Sequence, residues 1–224
     1  MAIHLFQWSG AAAAIFALAR TADFLLRVWP SAAPADPVAT ALACNAILFS
    51  VFALHHSLFA RLGLKQRLGR IVPDRHQRTL YVWVSSLLLT GSVEAWMPIG
   101  HVVYALPPWS RVALLPLQVA GGLLVIAAAR VIDPLELLGL RRGSGVLEAR
   151  GPYRWVRHPL YLGILVMLWT PAVMTGDRLW FSALCTIYVA LAIPFEERSL
   201  ERVLGDRYEA YRLQVRWRLL PGAY

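Results

Sequence analysis

Apolar stretches separated by short polar, arginine-rich connections run along the chain of 224 residues. A helix that crosses the apolar core of a bilayer needs about 20 mainly apolar residues. Six stretches approach this length, at residues 5–19, 38–60, 80–98, 112–129, 160–173 and 179–195. The first, fifth and sixth are short and would need flanking residues or a locally thinner bilayer. The pattern therefore predicts an all-α polytopic protein with about six transmembrane helices.

The amino-acid composition also favours a membrane protein. Apolar residues make up 58% of the chain and charged residues 16%, whereas soluble domains have roughly 45–50% and about 25%. A protein of this size lacks the interior volume to bury the apolar surplus, so part of that surplus must face lipid. The cysteines, Cys44 and Cys185, lie within apolar stretches and are interpreted as buried small hydrophobic residues. The sequence has no cluster of cysteine and histidine, and we predict no metal site.

The net charge of +9 is explained by membrane topology. Of the 22 lysines and arginines, six follow the second predicted helix, six follow the fourth and six follow the sixth. Because such residues concentrate on the cytoplasmic side, these connections and both termini are predicted to be cytoplasmic, in a bacterial inner membrane. The first apolar stretch has no basic region before it, so we predict a retained span rather than a signal peptide. Membrane lipids are the predicted partners of the basic connections, and binding of nucleic acid is not needed to explain the net charge.

The distribution of ionisable residues divides the chain into two parts. Residues 1–129 contain four predicted spans with few ionisable groups inside them. Residues 130–224 contain a cytoplasmic loop, a helical hairpin and a cytoplasmic tail with an amphipathic helix, and their polar side chains gather at one edge. The sequence therefore predicts an N-terminal membrane half and a C-terminal catalytic half.

The predicted hairpin brings charged residues together at its open end. Pro159 suits the first turn of a helix, so the fifth span is predicted to begin there, with Arg157 just outside it. Glu196 and Glu197 follow the sixth span. With about 15 residues each, the two spans rise about 22 Å, which returns the glutamates to the level of Arg157. Both sets of charges oppose the dipole of their own helix.

Two interpretations of this cluster remain open. In the first, an anion binds at the helix start beside Arg157, and a carboxylate opposite binds a cation. In the second, Arg157 pairs with Glu196 and locks the hairpin, while the tyrosines lie at the membrane interface. The cluster consists of Tyr153, Arg157, His158, Tyr161, Glu196 and Glu197.

Ordered motifs in this region resemble those of a known family. The run GPYRWVRHPLYLG, the later run EERSLERVLGDRYEAYRLQV and a terminal LLP resemble the isoprenylcysteine carboxyl methyltransferase and phospholipid methyltransferase superfamily of membrane enzymes. Upstream, FALHHSLFAR and DPLELLGLRR look similar to the methanethiol S-methyltransferase branch and its NnrU relatives. The specific motifs cover residues 133–221.

The resemblance implies a methyltransferase that uses S-adenosylmethionine (SAM). It implies that SAM is bound by Tyr153, His158, Pro159, Leu160, Tyr161 and Glu196, together with the backbone of Gly145, Val146, Leu147 and Glu148. The chemistry is compatible, because Arg157 and the helix start suit the carboxylate of SAM, while Glu196 and aromatic faces suit its cationic centres. A Rossmann-type SAM fold is disfavoured, since no strand–GxGxxG–helix pattern is present.

The methyl acceptor is expected to be a small or lipophilic nucleophile, with a thiol favoured. Where the prenylcysteine enzymes carry an arginine for the substrate carboxylate, this chain has Ala192, which argues against a prenylcysteine. A thiolate needs no general base, and for other acceptors we expect assistance from His158, Glu197 or His55. Two alternatives are an NADPH-dependent sterol-type reductase, whose N-terminal half is larger, and a non-catalytic NnrU-like membrane protein, which would not need the glutamate pair.

Overall fold

The structure, a computed structural model, describes residues 2–26, 37–59, 71–141 and 149–222. The helices are α1 Ala2–Leu26, α2 Val38–Phe59, α3 Asp74–Glu94, α4 Trp109–Ile132, α5 Pro134–Leu137, α6 Pro159–Trp169, α7 Gly176–Leu204 and α8 Asp206–Gln214. A 3₁₀ helix, Gly151–Arg154, precedes α6. Two short strands, β1 Val102–Ala105 and β2 Val173–Thr175, pair with each other.

Four helices within these ranges are long and apolar enough to cross a membrane, namely His4–Leu26, Val38–Phe59, Trp109–Ile132 and Gly176–Leu204. The prediction of a mainly helical membrane protein is confirmed, but the count of about six spans is not. One reason is that polar residues interrupt α3 along its length, among them Arg78, Ser85 and Ser86. The other is that α6 has only 11 residues, which gives a rise of about 16 Å.

The predicted hairpin of two equal helices is wrong in its lengths. α6 ends at Trp169 rather than at residue 173, because Pro171 disfavours helical geometry at the residue before it. The chain then continues into β2. α7 has 29 residues and continues to Leu204, beyond the predicted end at residue 195. The longer α7 therefore carries the glutamate pair within the helix rather than after it.

The described residues form two compact units, of which the first contains the N-terminal helices. It consists of α1, α2, α3 and the segments 95–101, 135–141 and 175–177. α1 and α2 both pack on α3. The buried amide of Asn45 exchanges two hydrogen bonds of 2.9 Å with the backbone of Met97. The buried carboxylate of Asp177 accepts hydrogen bonds from Trp96 Nε1 and from two backbone N–H groups.

The second unit contains β1, α4, the 3₁₀ helix, α6, α7 from Arg178 onward, α8 and the segment that follows α8. α4 and α6 approach each other at two glycines, since a Cβ atom on Gly163 would lie 2.6 Å from the carbonyl oxygen of Gly121. Small residues permit such close contact between helix backbones. The 3₁₀ helix also packs on α4. The predicted boundary after residue 129 falls inside α4, and the division into an N-terminal half and a catalytic half stays a prediction.

Candidate functional site

The site begins where the N-terminus of α6 meets the C-terminal part of α7. The Tyr161 hydroxyl, in the first turn of α6, donates a hydrogen bond of 2.9 Å to Oε2 of Glu196. The His158 ring stacks on the Tyr161 ring with 5.7 Å between centroids, and its Nδ1 lies 3.9 Å from the same carboxylate oxygen. The Glu196 side chain remains 45% exposed. These contacts place a solvent-accessible carboxylate between an aromatic hydroxyl and an imidazole.

The adjacent glutamate has the opposite environment. The Glu197 side chain is only 5% exposed, and its carboxylate accepts hydrogen bonds from Arg157 Nε at 2.7 Å and Arg218 Nε at 3.0 Å. His158 Nε2 lies 3.3 Å from the same carboxylate. Neighbouring residues on a helix point about 100° apart, so one glutamate faces solvent while the other faces the interior. Burial of Glu197 is compensated by two guanidinium groups.

Arg157 pairs with Glu197, so the alternative pairing with Glu196 considered from the sequence is wrong. Its guanidinium also donates through Nη1 to the carbonyl oxygens of Val215 at 2.9 Å and Arg216 at 2.8 Å. The side chain is 8% exposed. The predicted role of Arg157 toward the carboxylate of SAM stays a prediction, although Nε and Nη1 already donate within the protein.

The segment after α8 lies against the start of α6. The backbone N–H of Arg157 donates to the carbonyl of Trp217, and the backbone N–H of His158 donates to that of Arg218, both at 2.9 Å. Leu219 packs with Val189 and Ile193 of α7 in a buried apolar cluster. The segment therefore closes one side of the site with both backbone hydrogen bonds and apolar contacts.

Helix α8 supports the 3₁₀ helix that carries Tyr153. Gly205, with φ of +53°, turns the chain between α7 and α8. Tyr208 and Tyr211 are both buried, and the Tyr211 hydroxyl donates a hydrogen bond of 2.8 Å to the backbone carbonyl of Tyr153. Burial raises the pKa of Tyr211 to about 12, which keeps this hydroxyl a donor. The Tyr208 hydroxyl is buried without a hydrogen-bond partner within the described ranges.

Tyr153, on the 3₁₀ helix before α6, is half-buried. Burial, together with the negative charge of Glu196, raises the pKa of the Tyr153 phenol. Pro159 is buried and Leu160 is half-buried at the start of α6.

Two further parts of the predicted site are not among these contacts. His55 is on α2 in the first unit, where its Nδ1 lies 3.2 Å from Ser85 Oγ and its ring stacks on Tyr81. Its predicted catalytic role stays a prediction. The predicted backbone contacts at Gly145, Val146, Leu147 and Glu148 lie outside the described residues.

Sequence reasoning did not assign Arg218 to the site. The sequence does carry a signal for Glu197, the partner of Arg218. Along α7, Val189, Ile193 and Glu197 are spaced four residues apart. That spacing places three side chains on one helix face, and all three are buried. The pattern predicts an inward-facing Glu197 that requires a cation, but it does not say which arginine supplies it.

Comparison with known proteins identifies the family. A family model described as phospholipid methyltransferase matches residues 113–207. A methanethiol S-methyltransferase of Mycobacterium tuberculosis is 38% identical over 84% of this chain and 81% of that protein. The chain belongs to the phospholipid methyltransferase family. The matched range includes the start of α6 and both glutamates of α7.

Two further relatives are similar to this chain over most of its length. Methanethiol S-methyltransferase 1 of Bradyrhizobium diazoefficiens is 35% identical over 79% of this chain and 66% of that protein. Nurim of Rattus norvegicus is 30% identical over 86% of this chain and 78% of that protein. The resemblance predicted from the motifs is confirmed, and the chain is a membrane methyltransferase.

Proposed function

We propose that this membrane methyltransferase binds SAM beside Glu196 and transfers the methyl group to a small thiol. The observation that carries the proposal is the contrast between the two glutamates. Glu197 is buried and neutralised by arginines, whereas Glu196 is 45% exposed and held in place by Tyr161. An accessible, oriented carboxylate is suited to a ligand with cationic groups.

The residues present fit SAM by their chemistry. The Glu196 carboxylate suits the ammonium or the sulfonium of SAM, and the rings of Tyr153 and Tyr161 offer π faces for a cation or for adenine. The N-terminus of α6 carries the positive end of the helix dipole, which suits an anion such as the carboxylate of SAM. Pro159 and Leu160 position that first turn, and we propose that Arg157 adds positive potential there.

SAM supplies an activated methyl group on its sulfonium. The protein has to align the acceptor with that methyl group and exclude water. A thiolate acceptor is nucleophilic without a general base. For a protonated acceptor, Nδ1 of His158 is better placed than Glu197 to take the proton, because the Glu197 carboxylate already accepts from Arg157 and Arg218.

The names of the relatives favour a thiol as acceptor, because several are methanethiol S-methyltransferases. We further propose that the backbone at residues 145–148 contributes to SAM binding and that His55 contributes to the acceptor pocket. The concentration of arginines supports a site at the cytoplasmic face of a bacterial inner membrane. SAM would then enter from the cytoplasm and an apolar acceptor laterally from the bilayer.

Titration of the purified full-length protein with SAM and, separately, with NADPH tests this function. We expect SAM to bind and NADPH not to bind. Methyl transfer from labelled SAM to a panel of methanethiol, lipid amines and isoprenoid acids then identifies the acceptor, with methanethiol expected to react. Binding of NADPH alone would indicate a reductase, and binding of neither would indicate a non-catalytic membrane protein.

A further inference from the structure

Three residues form a closed ring of hydrogen bonds on the interior side of the site. Arg218 donates through Nε to Oε2 of Glu197 at 3.0 Å, and its backbone carbonyl accepts from the N–H of His158 at 2.9 Å. His158 Nε2 lies 3.3 Å from Oε1 of Glu197. Arg218 is therefore linked to His158 directly through its backbone carbonyl and indirectly through Glu197, whose Oε1 also accepts from Arg157.

This ring determines which nitrogen His158 presents to the site. An ionised carboxylate can only accept hydrogen bonds, so the contact with Glu197 places a hydrogen on Nε2. The other nitrogen, Nδ1, then faces Glu196, 3.9 Å from its carboxylate. Stacking on Tyr161, with 12° between ring planes, leaves the imidazole little freedom to rotate. The orientation of His158 thus depends on a carboxylate that is itself held by arginines.

Arg218 differs from Arg157 in its exposure and in the segment that carries it. Its side chain is 34% exposed, against 8% for Arg157. It belongs to the segment after α8, beyond the range of residues 113–207 that the family model matches. The packing of this segment already uses Leu219 in the apolar cluster with Val189 and Ile193. The ion pair of Arg218 with Glu197 is therefore separable from the apolar attachment of the segment.

We propose that Arg218 is a positioning residue of the SAM site, which fixes the His158 imidazole through Glu197 so that Nδ1 faces the ligand. The proposal rests on the proposed function, because it assumes that SAM binds beside His158 and Glu196. The segment after α8 would then contribute to ligand binding in addition to packing on α7.

The test compares four variants of the full-length protein in detergent or nanodiscs. Arg218→Gln removes the charge and Arg218→Lys retains it without the guanidinium. Arg216→Gln is the matched control, because the Arg216 side chain is exposed and only its backbone carbonyl contributes. Leu219→Ala loosens the apolar attachment without altering the ion pair. SAM affinity is measured by calorimetry below the melting temperature of each variant, and the His158 tautomer by NMR of isotope-labelled histidine, assigned with His158→Gln.

We expect Arg218→Gln to bind SAM about 10-fold more weakly, and Arg218→Lys to fall between it and the wild type. This is the lower end of the loss expected for a hydrogen bond to a charged group, because the lost bond is to Glu197 and not to SAM. In Arg218→Gln, Glu197 keeps Arg157 as its charged partner but loses the one that holds Oε2, so the His158 signal should change from a single Nε2–H form to a mixture of the two tautomers. Arg216→Gln should match the wild type, and Leu219→Ala should lower the melting temperature with little change in SAM affinity.

Equal SAM affinity in Arg218→Gln and the wild type would overturn the proposal, as would an unchanged His158 tautomer. If Arg218→Gln fails to fold, the comparison is made between Arg218→Lys and Arg216→Lys, and equal affinities overturn the proposal. Failure of the wild type to bind SAM would instead remove the proposed function itself. The wild-type titration thus separates the two failures.

Discussion

At the scale of single residues, the adjacent glutamates of α7 show how one helical step separates two roles. Glu196 lies in reach of solvent and accepts a hydrogen bond from Tyr161. Glu197 is buried among basic side chains. The carboxylates are chemically identical, so their environments alone make one suited to a ligand and the other to internal pairing.

Replacing Glu196 with Gln should weaken SAM binding by about 10- to 150-fold, because hydrogen bonds to charged groups contribute about 1.5–3 kcal/mol. The melting temperature should change little, since a half-exposed charge contributes little to stability. Calorimetric titration with SAM measures the effect, with Glu209→Gln, an exposed carboxylate on α8, as the control. Unchanged SAM affinity in a folded Glu196→Gln protein would assign Glu196 a structural role.

The pair Arg157–Glu197 should behave as a buried ion pair in a double-mutant cycle. Glu197→Gln leaves the buried guanidinium of Arg157 without its counter-charge, and Arg157→Met removes a guanidinium from the buried carboxylate of Glu197. Each single change should lower the free energy of unfolding by about 3–5 kcal/mol. The double variant should therefore be destabilised by less than the sum of the single changes. Thermal unfolding of the four proteins measures the coupling. Additive losses of stability would show that the two side chains do not depend on each other.

At the scale of elements, α6 is positioned by its contact with α4. The backbones meet at Gly121 and Gly163, where a Cβ atom on either residue would lie under 3.0 Å from the other residue's carbonyl oxygen. α6 has only 11 residues and carries His158 at its N-cap and Tyr161 in its first turn. A displacement of α6 from α4 would therefore move two site residues at once.

Gly163→Ala should destabilise the protein by about 1–3 kcal/mol, the usual cost of inserting a methyl group into a well-packed contact. Gly122→Ala is the matched control on α4, because its Cβ atom would meet only Met167 Sδ at 3.7 Å. Melting temperatures of the two variants provide the comparison. A Gly163→Ala protein as stable as Gly122→Ala would show that the helices have room to separate.

At the scale of the whole molecule, topology decides where the site lies. Reporter fusions after Arg70, Arg142 and Arg216 should report cytoplasm, and a fusion after Ala105 the outside, if six segments cross the membrane. If only the four long apolar helices cross, the fusion after Arg142 should be external and the one after Ala105 internal. The Arg142 fusion is therefore the decisive measurement. An external result would contradict a cytoplasmic location for the predicted SAM contacts at residues 145–148.

Much of the site could be predicted from the sequence because it depends on local patterns. Pro159 determines where α6 begins, and the spacing of Tyr161 after it follows from helix geometry. The partner of Arg157 could not be predicted, because the choice between two adjacent glutamates depends on the rotation of α7 about its axis. The end of α6 was predicted four residues too late, since apolar residues continue beyond Trp169 while the backbone leaves the helix at Thr170, ahead of Pro171.

The sequence by itself determined that this chain is a helical membrane methyltransferase, because apolar length, arginine distribution and ordered motifs are properties of the chain read in order. It also determined which residues lie at the open end of the predicted hairpin. Only the tertiary structure decided that Glu197 is buried, that Arg157 and Arg218 neutralise it, and that the segment after α8 closes the site. These contacts join residues far apart in sequence, and their partners are selected by packing and by the energetic requirement to pair every buried charge.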